Sequence, residues 1–331
     1  MGWRGYLRSA AAAHRQVQRE ALREQRELER QHRYLEKMEE LERAAFEVQE
    51  YENYIKVLCS IHKDCGKVWD WKQIENTSPP KEPTKHDTYE REAQGKLECF
   101  KPSLLDKLFR RIETKRDILS RAVREGKDRD DRLYREAHKK YEQQYETWKQ
   151  TCELANKVQS GDAEAYIEAI RQVDPFSELS ELGSSFEFKT GTSNLVKVTL
   201  YVRSDEVVPR EVKTLLKSGK LSIKKMTKSK FNELYQDYVC GCILRIAREL
   251  FALLPIDMTI ITAVGELLNT KTGYIEKQPI LSVAVPKDTL SRLNFEMIDP
   301  SDSMDNFVQH MHFNKTKGFS AVEKIEPSNL Q

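Results

Sequence analysis

FNELYQDYVCGCILRIARELFALLPIDMTIITAV, residues 231–264, reads as a long buried helix, a proline stop and a strand. Leu234, Tyr238, Cys242, Ile246 and Leu250 form one stripe at helical spacing. Phe231, Tyr235, Val239, Ile243, Phe251 and Leu254 widen it until it must be covered on more than one side. Ser229 is the expected cap, and Pro255 ends the helix because proline cannot continue it. Gly241 costs about 1 kcal/mol relative to alanine inside a helix, a cost that suits a site where another backbone approaches.

Working outward, residues 161–331 supply what covers this helix. Ser160-Gly161 breaks the preceding helix, Asp162 caps AEAYIEAIRQV, and Asp174-Pro175 ends it. SSFEFKT (184–190) and LVKVTLYVR (195–203) alternate apolar and polar residues across a short connection, which predicts an antiparallel hairpin. VPREVKTLLKSGK (208–220) reads as a helical turn closed by Gly219, and LSIKK as a short extended segment. Met258–Val264 and 274–286 are strands, with Pro279 marking a bulge or an edge. Asp288–Leu293 and Asp302–Met311 read as small helices, and FNKTKGFSAVEKI as extended structure. The expectation is an α+β domain, a mostly antiparallel sheet of about five strands packed on one central helix.

Residues 1–160 are a different kind of sequence, rich in Arg, Glu, Lys and Gln. No proline interrupts Leu7–Cys65. Tyr34, Met38, Leu41, Ala45 and Val48 follow 4-3 spacing, and Tyr51, Ile55 and Leu58 continue it after one slip, as a coiled-coil seam does. Such a helix would be about 84 Å long. Residues 64–103, with ENTSPPKEPTKHDT at their centre, are the expected turn region, holding a short helix at Tyr89–Leu97 and the pair Trp69 and Trp71. A second helix starts at Ser103, with Asp106 in the capping-box position. Leu105, Leu108, Ile112, Leu119 and Ala122 open its seam, and Tyr134, Ala137, Tyr141, Tyr145, Trp148, Cys152 and Ala155 resume it. KDRDDR (127–132) carries no apolar residue. Two helices of similar length predict an antiparallel coiled-coil hairpin over residues 1–160, followed by the globular domain.

The composition excludes several classes. At 331 residues, 39% apolar and 33% charged, the chain has room for two domains. Six cysteines without a CxxC pair do not form a disulfide framework. The first residues lack the apolar core of a secretory signal, and the uncharged runs are about half of a bilayer span. No membrane and a cytoplasmic setting are the expectation.

Catalytic motifs are sparse. No histidine lies between His138 and His310, so a Ser–His or Cys–His pair would need His310 or His312. Ser218-Gly219-Lys220 resembles the end of a P-loop, but Thr214 replaces its first Gly and Leu221 its Ser/Thr. Cys59, His62 and Cys65, with Cys99 returning from the turn region, are the candidate zinc ligands. Glu187-Phe188-Lys189 is an acid-x-lysine pair on a strand with Asp174 upstream, the kind of set that holds a divalent ion such as Mg²⁺ in nucleases.

The strongest charge signal lies at 210–230, where Arg210, Lys213, Lys217, Lys220, Lys224, Lys225, Lys228 and Lys230 face one acid, Glu211. They lead into the N-terminus of the main helix, whose dipole favours anions. Arg4, Arg8, Arg15 and Arg19 form a second basic stripe. Two functional classes follow. The first is a non-enzymatic interaction protein without a cofactor, with a coiled-coil arm for oligomerisation or docking to a protein partner and an α+β binding head. The alternative is a nucleic-acid-binding protein or metal-dependent nuclease using the 210–230 patch.

Overall fold

The computed structural model describes residues 3–103, 110–192, 194–203 and 207–330; the side chains of 3–28, 191–192 and 329–330 fall outside that description. The Arg4, Arg8, Arg15 and Arg19 stripe therefore lies outside the described side chains, and the Asp106 cap with Leu105 and Leu108 outside the described residues. In chain order the helices of the first half are α1 (Trp3–Ser60), α2 (Trp71–Glu75), α3 (Thr88–Glu98), α4 (Ile112–Gln159), α5 (Ala163–Val173) and α6 (Ser177–Glu181). Then come β1 (Ser185–Thr192), β2 (Leu195–Tyr201), β3 (Glu211–Leu215), β4 (Leu221–Lys225) and α7 (Lys228–Leu253). β5 (Met258–Leu268), β6 (Ile275–Pro286), α8 (Lys287–Ser291), α9 (Pro300–Ser303), β7 (Val308–Asn314) and β8 (Gly318–Ser320) complete the series.

These elements form an α+β protein of two compact units, one made of Met1–Val68 with Val173–Gln331, the other of Trp69–Gln172. Composition drew its boundary at residue 160. The contacts divide the chain differently, because α1 carries its buried stripe to elements beyond residue 173.

In the first unit, a six-stranded sheet runs β1-β2-β5-β6-β7-β8. All pairs are antiparallel except β2 with β5. A parallel pair needs a long crossover, and α7 lies within it. The stripe read from 231–264 is confirmed: most of this 26-residue helix is buried, and it ends at Leu253 ahead of Pro255. Thr227, not Ser229, is its N-cap, accepting the Lys230 N–H at 3.3 Å. β5 and β6 are buried on both faces. The second face is closed by the chain's last segment, where the Ile325 N–H donates to Ser282 Oγ at 3.0 Å and Ile325 joins Leu195, Ile260 and Ala284. Two sequence expectations are corrected. Residues 208–220 are not a helical turn, since 211–215 pair with 221–225 as β3–β4. Residues 308–311 are strand, not helix, because Val-Gln-His-Met-His-Phe alternates and pairs with β6.

α1 packs on α7 and on the β3–β4 hairpin, and its residues Ala44, Val48 and Leu58 are buried, as is Ile61 just past its end. Ala44 rather than Ala45 is the seam alanine, so the 3-4 spacing runs without a slip from Leu41 to Leu58. The close approach at Gly241 is made by a side chain just past α1, with the backbone farther off: a Cβ there would lie 2.7 Å from Ile61 Cγ2 and 3.9 Å from the His62 N.

The second unit is built along α4. The proline-rich segment is not a turn; it lies extended along that helix in the opposite sense. Glu75 accepts from Asn156 and Gln159 at 2.7 and 2.6 Å, Trp148 Nε1 donates to the Thr77 carbonyl at 2.9 Å, and Lys85 pairs with Asp131. α3 then docks on the KDRDDR stretch. Asp130 accepts from the Tyr89 and Glu90 N–H groups at 3.3 and 2.9 Å, capping α3, and the Arg129 guanidinium lies 3.9 Å from the Tyr89 ring centroid. Trp69 and Trp71 stack at 5.5 Å, with Trp71 buried and Trp69 partly exposed.

Candidate functional site

The basic segment forms a two-stranded ribbon separate from the main sheet. Val212, Leu215 and Leu216 mimic helical spacing, but each arm is only five residues long and β pairing prevails. Gly219, at φ +79°, supplies the left-handed turn residue. The Leu216 N–H donates to the Lys220 carbonyl and the Gly219 N–H to the Leu216 carbonyl, both at 2.9 Å. At the base, the Met226 N–H donates to the Arg210 carbonyl at 2.8 Å, and Thr227 starts α7 directly.

This geometry separates the eight cations into two groups. Lys213 is committed to α1 through Glu47 at 3.0 Å, and the Arg210 guanidinium lies 5.5 Å from the Phe231 centroid. Lys217, Lys220, Lys224, Lys225, Lys228 and Lys230 are exposed, and among the described residues none forms an ion pair. Lys225 stands across the ribbon from Glu211, and Lys224 across from Val212. Lys228 and Lys230 occupy the first turn of α7, where the helix dipole repels cations. Lys230 is partly offset by the nearby Glu233 and Asp237 carboxylates, whereas no acid stands in that first turn, so an anion at the helix end would be favoured there.

The nuclease set is not gathered. Glu187 and Lys189 are exposed on the edge strand β1, pointing away from the face of Phe186 and Phe188. Phe176, two residues from Asp174, stacks on that other face, with centroids 5.2 and 5.4 Å from Phe186 and Phe188. Glu187 instead meets Tyr201, whose hydroxyl is raised by burial and then by this carboxylate.

The zinc candidates divide between the two units. Cys99 is exposed at the end of α3, in the second unit, while Cys59 lies in the last turn of α1 and His62 and Cys65 follow that helix in the first. Burial raises both Cys59 and Cys65, and nearby Asp237 and Glu249 respectively push the same way, away from the metal-binding thiolate. His62 is buried with neither ring nitrogen hydrogen-bonded among the described residues. Among those residues, no three His, Cys, Asp or Glu side chains come together in a metal-binding group.

Two features escaped the sequence reading. A cavity of about 260 Å³ opens where the parallel pair β2 and β5 ends, lined by Ser184, Tyr201, Arg203, Glu266 and Lys277, with the Lys277 ammonium 5.2 Å from the Tyr201 centroid. Ligand sites favour this end of parallel strands, but the parallel pairing cannot be read before the topology is known. The second is a charge cluster on α7. Arg245 binds Glu249 at 2.8 Å and Glu178 at 3.3 Å, with Asp64 at 3.6 Å; Glu249 also accepts the Gly66 N–H at 3.0 and 3.1 Å. Its signal was an Arg and a Glu four apart inside an apolar helix.

Compared with family models, curated proteins and solved structures, the chain matches none. Among the described residues, no helix is long and apolar enough to cross a membrane.

Proposed function

We propose that this is a non-enzymatic, cytoplasmic binding protein whose α+β head grips the phosphate backbone of a nucleic acid through the β3–β4 ribbon, and whose helix α1 is a coiled-coil docking arm. One observation carries the head reading: six exposed lysines without ion pairs among the described residues, on a two-stranded ribbon that runs into a helix N-terminus. A two-stranded ribbon fits the DNA major groove, and lysines without aromatic neighbours favour backbone contact over base stacking. The arm reading rests on Tyr34, Leu35 and Met38, which are 64%, 60% and 39% exposed.

Filter binding to duplex DNA across a salt series tests the head. Affinity at low salt should fall linearly on a log–log plot, and the pair Lys224→Glu, Lys225→Glu should lower the slope by about 2 for any sequence. Absence of binding at low salt removes the reading. Cleavage on adding Mg²⁺ removes its non-enzymatic part and returns the nuclease alternative.

A further inference from the structure

Along α4, Tyr134, His138, Tyr141, Tyr145 and Trp148 recur at 4-3 spacing, so they share one face of the helix. Their rings form an unbroken ladder, with successive centroids 5.7, 6.0, 5.8 and 5.3 Å apart. What lies along this face is the segment Thr77–Asp87, which is neither helix nor strand. It meets α4 at three levels. The Thr77 carbonyl accepts from Trp148 at 2.9 Å, Glu82 Oε1 lies 3.9 Å from His138 Nε2, and Lys85 pairs with Asp131.

From Trp148 back to Asp131 a helix rises about 26 Å. The chain from Thr77 to Lys85 covers that distance only when extended, at about 3.1–3.3 Å per residue. Burial then chooses between the two extended forms. From 76 to 86, Pro80 and Pro83 are half-buried and every other residue is exposed. A strand repeats every second residue, whereas a polyproline II helix has three residues per turn. Pro80 and Pro83 therefore share the face turned to the ladder, between the outer two anchors. Two residues on, Lys85 finds its acid in Asp131. Prolines three apart, laid on aromatic rings, are what aromatic-lined grooves recognise in P-x-x-P peptides.

We infer that the aromatic face of α4 is a polyproline-recognition surface occupied by the chain's own Pro80–Lys85, and that a proline-rich peptide of the form P-x-x-P-x-Lys from a partner protein takes the same place when the resident segment gives way. The resident segment defines the occupant's chemistry: two prolines for the rings and one cation for Asp131. It buries little besides those prolines, so its hold depends on its tether, which supplies an effective concentration on the order of 1 mM. The surface lies wholly within the second unit, and neither the lysine ribbon nor α1 is involved.

Fluorescence anisotropy of a labelled peptide of residues 77–87, titrated with the full chain, tests it, with circular dichroism reporting the helix content of each variant. The chain carrying Pro80→Ser and Pro83→Ser should bind the peptide. The wild type should bind at least about 10-fold more weakly, because its own segment competes for the face. A peptide with the same two serines should not bind. In the opened chain, Tyr141→Ala with Tyr145→Ala should abolish binding, and Asp131→Lys should turn the preference to a peptide carrying Lys85→Glu. An opened chain that keeps its helix and binds no peptide overturns the inference, since the segment is then a strap and nothing more. Equal binding by the wild type and the opened chain, or by the proline and serine peptides, overturns it too. If the opened chain loses its helix, Asp131→Lys alone makes the charge-swap test with the prolines in place. There, failure to prefer the Lys85→Glu peptide overturns the inference.

Discussion

Gly241 and Gly126 mark two helix contacts of the same closeness and opposite chemistry. At Gly241 a side chain just past α1 meets α7, and an added Cβ would lie 2.7 Å from a side-chain methyl, Ile61 Cγ2. At Gly126 the start of α3 meets α4, and the Cβ would lie 2.7 Å from the Tyr89 carbonyl oxygen. The first contact is apolar, with a paired charge cluster beside it. The second is held by Asp130 accepting two N–H groups, by Arg129 over Tyr89, and by the Lys85–Asp131 pair. One glycine admits a side chain, the other admits backbone. The comparison teaches that a stretch without apolar residues on a long helix can still be a docking site when its charges address backbone donors.

The largest effect expected from breaking this comparison is at Glu249. Its replacement by Ala leaves Arg245 buried with only exposed acids and orphans the Gly66 N–H, a loss of about 3–5 kcal/mol in denaturant unfolding. Replacing Arg245 and Glu249 together by Met and Leu should recover most of it, because the charge and its partner leave together. Asp130→Ala, in the polar contact, removes a cap at a part-buried site and should cost about 1–2 kcal/mol.

The glycines come next. Gly126→Ala should cost about 2–3 kcal/mol, since a carbonyl cannot change rotamer to make room. At Gly241→Ala the gain in helix propensity of about 1 kcal/mol offsets part of the clash, leaving a smaller loss. Ile61→Ala should rescue Gly241→Ala in a double-mutant cycle. No side-chain truncation at Tyr89 should rescue Gly126→Ala, because the obstructing atom is main chain; equal rescue at both glycines would erase the distinction.

The smallest expected effect is a pH dependence near the α1–α7 contact. Burial, and then Lys63, lower the His62 pKa from its ordinary 6.5. Unfolding lets the imidazole take a proton that the fold resists. Stability contributed by this site is therefore complete above pH 6.5 and falls as pH drops from there to the folded value. Chemical denaturation of His62→Phe should show a flatter profile over that window. Asp237 runs the other way: burial, and then Asp299, raise it from its ordinary 3.8, so the stability it contributes is lost as pH rises from 3.8 to the raised value and stays lost above it. Asp237→Asn should stabilise the protein at neutral pH.

The same contrast explains what could be read from residues alone. α7 was legible because its stripe has one meaning at helical period, the strands of 184–203 because they alternate, and the strand from Met258 because an apolar run follows the Pro255 stop. The ribbon was not, since Val212, Leu215 and Leu216 satisfy a helix as well as a strand, and only pairing with 221–225 decides between them. The proline-rich segment reads correctly as non-helical, but its path along α4 depends on contacts such as Trp148 Nε1 to the Thr77 carbonyl, which no local pattern announces. At the candidate site, the charge of 210–230 was visible beforehand. Which lysine the fold uses for itself was not, because Lys213 differs from its neighbours only in facing Glu47.

The division of the first unit also orders events in time. Ile61 and Gly241 touch, yet about 180 residues separate them, so a ribosome adding about 5–20 residues per second needs roughly 10–40 s between one and the other. During that interval Ala44, Val48 and Leu58 of the emerging helix, and Ile61 just past it, have no α7 to cover them. The insert from Trp69 to Gln172 can complete itself first, and the head that appears last in synthesis must then recapture the helix that appeared first.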